Sequence, residues 1–366
     1  MTGLQTSWDD GAFRAAIQAT LDGFVDEQAK RLEPLGDDAD RLVTEARRSI
    51  AGGKRFRAAF CYWGFRAVQE PIHDIGHDED RLLRAAAALE LLHASALVHD
   101  DYMDASDVRR GRPATHKALE TFHREQDWIG DPEQYGAAGA ILLGDLLLSW
   151  SDELLRTCGF VHDVVREALA VFDSTRSEVI TGQFLDVSSQ ARGDSEVKTA
   201  MRVLRYKSAK YSIERPLHIG AALAGGDIEV RSALSNVGLP LGEAFQLRDD
   251  LLGVFGNPGI TGKPAGDDLR EGKRTVLVAL ALGAAPAQEA KVLEDALGGS
   301  TGDSLSSAQV EVLQQVILDS GAHSTVEKMI EELTGRSLDA LARAPISETA
   351  RDVLRTLATA ATQRVV

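Results

Sequence analysis

Residues 84–116, RAAAALELLHASALVHDDYMDASDVRRGRPATH, constrain the fold more than any other stretch. An Ala/Leu-rich helix runs into three carboxylates, Asp100, Asp101 and Asp104. At 3.6 residues per turn, Asp100 and Asp104 stand one above the other with Asp101 beside them. Like charges at that spacing repel, and acids at a helix C-terminus oppose the macrodipole. A divalent cation turns the repulsion into a binding site, and an all-oxygen donor set suits Mg²⁺. Arg109 and Arg110 follow in a Gly/Pro-punctuated loop, where they can meet an anion bridged to that metal. A second apolar helix, ending Phe245-Gln246-Leu247-Arg248-Asp249-Asp250, repeats the pattern with Gln246, Asp249 and Asp250 on one face. Two such helices facing each other across a bundle enclose a cavity with acids at its rim and apolar walls below. That combination fits a metal-bridged polyphosphate carrying a hydrocarbon chain. The two helix ends lie roughly 150 residues apart, and each needs the other to close a site. Residues 1–366 are therefore expected to form a single all-α domain.

Composition excludes several classes. The 366 residues carry a formal net charge of −16, which argues against a nucleic-acid binder, since that would show a basic face. An anionic substrate stays open, because a few local Lys and Arg outweigh a distant field. Cys61 and Cys158 sit in apolar helical contexts and read as buried hydrophobes, not as a disulfide or zinc site. Residues 1–21 lack the positive start and apolar core of a leader, and the longest uncharged apolar run, 276–287, is too short to span a bilayer. The expectation is a cytoplasmic protein with no transmembrane segment.

Helical periodicity covers residues 10–30, a stretch from near Asp40 to Gly52-Gly53, and residues 58–68. The aspartate-bearing helix starts near Asp80, read as its N-cap. Further helices are expected from Lys117, over 135–157, 163–190, a broken 196–224, and 228–254. The remainder reads as helical, with capping boxes at Ser306-x-x-Gln309 and Ser324-x-x-Glu327. Residues 71–80 and 106–116 read as loops, and 256–275 as a long Gly/Pro loop of the kind that usually serves function. No alternating β-branched run is long enough for a sheet.

In that order of elements the chain resembles the trans-isoprenyl diphosphate synthases (polyprenyl synthetases), most of all those making geranylgeranyl diphosphate. Asp100-Asp101-Tyr102-Met103-Asp104 matches the family's first DDxxD motif and Arg109-Arg110-Gly111 its RRG. Gly53-Lys54-Arg55-Phe56-Arg57 matches GKxxR, and Thr181-Gly182-Gln183 with Asp186, and Lys207-Ser208, match intermediate motifs. Phe245-Gln246 with Asp249-Asp250 matches the second aspartate motif, followed by Lys263 and Lys273. A lone DDxxD is weak, whereas seven matches in the family's order are specific.

The resemblance implies an isoprenoid-synthase-type helical bundle around a deep central apolar cavity. It implies a homodimer and Mg²⁺, three ions per site with Mn²⁺ as a substitute, held by Asp100, Asp104, Asp249 and Asp250. The allylic diphosphate would meet Arg109, Lys207, Ser208, Gln246, Lys263 and Lys273, and isopentenyl diphosphate would meet Lys54, Arg57, His93 and Arg110. Asp100, Asp101, Asp104, Lys207, Asp249 and Lys263 would carry the catalysis. Ser95 and Ala96, about one turn below Asp100 and both small, leave room for a product longer than fifteen carbons, most simply the C20 geranylgeranyl diphosphate, with farnesyl diphosphate alongside. Leu91, Leu92 and Phe184 are the candidates for the floor beneath that chain.

The motif departs from the family at one place: Gly253 stands where the second DDxxD has its last aspartate. That leaves a non-catalytic or weakly active regulatory subunit of a heteromeric synthase as the alternative. A terpene cyclase would need an Asn/Ser/Glu metal motif that the chain lacks, and a helical scaffold would bind neither Mg²⁺ nor diphosphate. Some residues are expected to play quieter parts. Arg55 is the solvated member of the basic turn or reaches a phosphate, Asp145 bonds a neighbouring helix, and His99 packs beside the site. Asp186 braces the metal site from behind, and Asp267 and Asp268 order the loop around the lysines.

Overall fold

The elements follow from their caps and apolar faces. The computed structural model describes residues 8–69, 76–257, 265–298 and 305–363. Helix α1 (Asp10–Leu32) is capped by the Asp9 side chain and leads through a short 3₁₀ turn into α2 (Asp37–Ile50). Helix α3 spans Phe56–Val68 and α4 spans Gly76–Met103. Asp80 thus lies inside α4 and does not cap it. A two-residue ladder, β1 (Val108–Arg109) against β2 (Arg112–Pro113), crosses the stretch expected to be plain loop. Arg110 and Gly111 between them both have positive φ, 52° and 72°, as a tight hairpin of the right-handed twist demands. Helices α5 (Thr115–Glu125), α6 (Pro132–Arg156, with Pro132 in its first turn) and α7 (His162–Arg192) follow.

The expected broken helix is continuous but changes pitch. Val197–Val203 (α8) is α-helical, Leu204–Glu214 is a π-helix, and Arg215–Leu223 (α9) is α-helical again. Long π runs persist only where tertiary contacts hold them. Glycines supply those contacts here. A Cβ on Gly182 of α7 would come within 2.5 Å of the Lys207 nitrogen, and one on Gly242 within 2.4 Å of the Ala209 carbonyl oxygen. Helix α10 spans Ile228–Phe255 with Asp227 as cap, and a single turn, α11 (Asp267–Arg270), lies in what reads as a loop. The chain ends in α12 (Val276–Ala284), α13 (Ala287–Leu297), α14 (Ser307–Asp319), α15 (Ala322–Arg343) and α16 (Glu348–Thr362). The Ser306–Gln309 capping box forms. The Ser324 box does not, because α15 already begins at Ala322 and Glu327 is taken by Arg248.

The apolar core is formed by α1–α4, α6, α7, α9, the first half of α10 and α16, with a second apolar cluster joining the C-terminal half of α10 to α12–α15. Helix α4 is central: Asp78–Met103 is the one helix among the described residues long and apolar enough to cross a membrane, and 67% of its most apolar window is buried inside the protein. Arg248 ties α10 to the C-terminal helices, with a bidentate pair to Glu327 at 2.6 Å and a bond to the Thr362 carbonyl at 3.0 Å.

One charged residue is placed opposite to expectation. Arg55 is not solvated. Its φ of 54° turns the side chain inward, where it and Glu90 are each 4% exposed and 3.2 Å apart. Arg55 also donates to the Ile50 carbonyl and to Gln18, while Glu90 accepts from the Ala58 backbone N–H. The R55A variant leaves Glu90 charged in the core without its counter-charge, so urea unfolding is expected to show a loss of about 3–5 kcal/mol.

Candidate active site

Two charge clusters of opposite sign sit at the carboxyl end of α4. The acidic one begins with Asp100. Its Oδ1 accepts from Gln183 Nε2 at 2.8 Å and pairs with Lys207 Nζ at 3.2 Å, while the same ammonium donates to Asp186 Oδ2 at 2.6 Å. Gly182 permits this by letting α7 touch the π segment. One turn on, Asp104 Oδ2 is buried without a hydrogen bond and faces Lys273 Nζ at 3.1 Å. Lys273 also pairs with Glu271 and, at 3.5 Å, with Asp268 Oδ1. Ser106 donates to Glu271, so the loops after the two aspartate motifs are joined directly. Burial raises both motif carboxyls, but for Asp100 the Lys207, Lys273 and Arg109 charges outweigh it and hold its pKa low. For Asp104, burial and the Asp100 charge win over Lys273 and hold it high. On α10, Ser208 donates to Gln246 Oε1 and Gln246 Nε2 donates to Asp250 Oδ1 at 2.8 Å. Burial pushes Asp250 up, against that hydrogen bond, and the Asp268 and Asp249 charges push it further.

The cationic cluster lies behind. Arg57 donates to the Tyr211 hydroxyl at 2.6 Å and to Ser212 Oγ at 2.8 Å, with its guanidinium 4.2 Å from the Tyr211 ring centre. His93 Nδ1 is 3.0 Å from the same hydroxyl. Arg110 donates to the Ala51 carbonyl and stands over Gly53, where a Cβ would lie 3.2 Å from its Nη2. Burial, then the Arg57, Arg110, Arg109 and Arg55 charges, hold His93 neutral far below its usual range. Lys54 is exposed at the rim of this turn. Several cations gathered around a neutral imidazole and a phenol have the chemistry to hold an anion. The wide π winding puts Lys207, Ser208, Tyr211 and Ser212 on one side, so one segment serves both clusters.

The sequence profile of the polyprenyl synthetases matches residues 40–316. The chain belongs to the polyprenyl synthetase family. It is 32% identical over 298 residues to a geranylfarnesyl diphosphate synthase of Aeropyrum pernix, covering 81% of this chain and 85% of that one. It is 33% identical over 251 residues to a geranylgeranyl diphosphate synthase of Saccharolobus solfataricus, covering 68% of each. Among solved structures, geranylgeranyl pyrophosphate synthase from Corynebacterium glutamicum, complexed with isoprenyl diphosphate and magnesium, superposes with a TM-score of 0.92 at 39% identity, covering 98% of this chain and 100% of that one. This polyprenyl synthetase is accordingly an enzyme of the trans-prenyltransferase class with the all-α isoprenoid-synthase fold.

Within this polyprenyl synthetase, several side chains stand elsewhere than the motifs suggest. Asp101 accepts a bidentate pair from Arg109, 2.8 Å from Nε, and so orients that arginine. Ser208 and Gln246 bond each other, which positions Asp250. Ser95 Oγ donates to the Gly144 carbonyl at 2.7 Å and therefore faces α6, leaving Ala96 on the Asp100 side of α4. Leu91 and Leu92 are fully packed, and Phe184 is 71% exposed because Gln183 and Asp186 take the inward face of α7. Phe184 is thus no floor within this chain. His99 packs over Gly144, 3.1 Å from the Ile141 carbonyl, with Asp145 at 3.7 Å. Cys61 and Cys158 are buried free thiols, as expected. Lys263 lies outside the described residues. The sequence reading missed Tyr211 and Glu271. The first stands four residues after Lys207, a spacing that could have flagged it.

The donor set suits a divalent cation. Among the described residues no three carboxylates or imidazoles already converge on one point. The acids instead face each other across Lys207 and Lys273. That agrees with Mg²⁺, which binds through one or two carboxylates, waters and substrate phosphates instead of a closed protein cage. Asp100, Asp104, Asp249 and Asp250 are the residues that would hold it, with the buried Asp104 Oδ2 as one available donor.

Proposed function

We propose that the enzyme uses Mg²⁺ to condense isopentenyl diphosphate with allylic diphosphates to an all-trans C20 product, geranylgeranyl diphosphate, with farnesyl diphosphate as a shorter companion. The observation that carries this reading is the pair of opposite subsites strung on one π segment, Lys207 among the aspartates and Tyr211 among the cations. An allylic diphosphate fits at the first, where Arg109, Lys207 and Lys273 supply positive charge. Isopentenyl diphosphate fits at the second, on Lys54, Arg57, His93 and Arg110. Bound Mg²⁺ would supply Lewis-acid stabilisation of the departing diphosphate. The allylic C1–O bond breaks with its electron pair on that diphosphate, and the isopentenyl double bond forms the new C–C bond at C1. The proton lost from the isopentenyl unit goes to the released diphosphate. Neutral His93 holds its anion by a hydrogen bond and brings no proton to the carbocation's side. The apolar wall of α4 excludes water that would quench the cation.

Chain length rests on Ala96, the small residue left beneath Asp100. Relatives named for farnesyl, geranylgeranyl and geranylfarnesyl products bracket the choice. Incubation with labelled isopentenyl diphosphate and each allylic primer, followed by sizing of the dephosphorylated products, should give mainly C20. An A96F variant should shift the product to C15; a dominant C15 product from the unaltered enzyme would sink the assignment. The same reading takes the chain as one domain, cytoplasmic, and a homodimer. The exposed apolar stripe Ile180, Phe184 and Val187 on α7, with Ile141 and Leu142 exposed on α6, supports the dimer, which light scattering would test.

A further inference from the structure

Gly253 removes a carboxylate from the end of α10, and the structure fills that place from elsewhere in the chain. A Cβ on Gly253 would lie 1.9 Å from Oδ2 of Asp268 and 2.4 Å from its Cγ. The space an aspartate side chain at 253 would need is therefore already occupied by a carboxylate arriving from α11. Asp268 Oδ1 is 3.5 Å from Lys273 Nζ, which is itself 3.1 Å from Asp104 Oδ2. One ammonium thus separates Asp268 from the first aspartate motif, and the Asp268 charge also reaches Asp250. The Oδ2 of Asp104 is buried with no hydrogen bond beyond its ion pair with Lys273. Carboxylates from α4, α10 and α11 are thereby gathered around Lys273.

We propose that Asp268 is the carboxylate that completes the second half of the divalent-cation site, taking the part vacated at Gly253. The proposal rests on the reading that the site holds Mg²⁺ with a diphosphate. It makes Gly253 a requirement of the arrangement and not a lesion: the glycine leaves room for the substitute. The three atoms nearest that position all belong to Asp268.

The test is a Mg²⁺ titration of the full chain in the presence of inorganic pyrophosphate, read by thermal shift and by calorimetry. In D268N, of nearly equal volume, the Mg²⁺ concentration for half-saturation should rise about tenfold or more while the metal-free melting temperature falls little. G253D alone should melt lower, because its Cβ meets Asp268. The double variant G253D/D268G, which returns the carboxylate to α10, should bring the Mg²⁺ requirement back to within about threefold of the unaltered chain. An unchanged Mg²⁺ requirement in D268N would show Asp268 to be merely a partner of Lys273 and would overturn the proposal while leaving the synthase reading intact. A folded double variant no better than D268N would overturn it as well. If that variant does not fold, D268N decides alone. Failure of the unaltered chain to bind Mg²⁺ and pyrophosphate together would overturn both readings.

Discussion

D100N and D104N are each expected to lower kcat/KM for the condensation by about 10²–10³-fold, yet to move the metal-free melting temperature in opposite directions. Both lose a carboxylate where the leaving diphosphate must be neutralised, and the amide keeps the shape. Their electrostatic settings differ. The pKa of Asp100 is depressed to about 2 because, although burial acts to raise it, Lys207, Lys273 and Arg109 favour the charged form. A depressed carboxyl contributes stability above its unfolded pKa, so D100N should melt lower at neutral pH. Asp104 is raised to about 6 by burial and by Asp100, despite Lys273. Its ionisation opposes folding at neutral pH, so D104N should melt higher. Steady-state kinetics beside calorimetric melting at pH 7 check both halves; two variants that shift in the same direction would mean that the lysines do not divide the pair in this way.

Proton release on cation binding is the second large effect. Burial raises Asp250 to about 8, assisted by the Asp268 and Asp249 charges and opposed by Gln246 and Lys273. At pH 7 the metal-free enzyme therefore holds a proton there, which Mg²⁺ must displace. Apparent Mg²⁺ affinity with pyrophosphate should climb about tenfold per pH unit between pH 6 and 8 and level off above. The sign for stability is the reverse. A raised carboxyl contributes its full stabilisation below its unfolded pKa and loses it as pH climbs to the folded value of about 8, so the metal-free enzyme should melt progressively lower from pH 6 to 8 and level off above. Calorimetry in two buffers of different ionisation enthalpy would count the proton. D250N should flatten the slope above pH 7, and a slope there as steep as in the unaltered enzyme would assign the proton to another group.

The aspartate helices were legible because their signal is local: charges at i and i+4 on an apolar helix mean the same thing in any fold. What the sequence concealed depends on partners remote in the chain. Arg55 reads as a solvated member of a basic turn until a positive φ aims it at Glu90, thirty-five residues away. Glu327 completes a plausible capping box on paper, but Arg248 offers it a bidentate partner and the helix starts earlier. The π segment has no local signature, since its winding is held by the backbone approaches at Gly182 and Gly242. Gly253 read alone looks like a lost ligand, and its meaning appears only beside Asp268. The exposed position of Phe184 follows from which face of α7 Gln183 and Asp186 require, a choice that periodicity leaves open.

The clamp of Arg248 on Glu327 and the Thr362 carbonyl bears on where this enzyme can be cut. The family profile stops at residue 316, so a boundary chosen by homology would discard α15 and α16 as a dispensable tail. Those helices grip the residue immediately before Asp249 and Asp250. Truncation at the profile's edge would leave every recognised motif in the sequence and unfasten the helix that presents the second pair of aspartates.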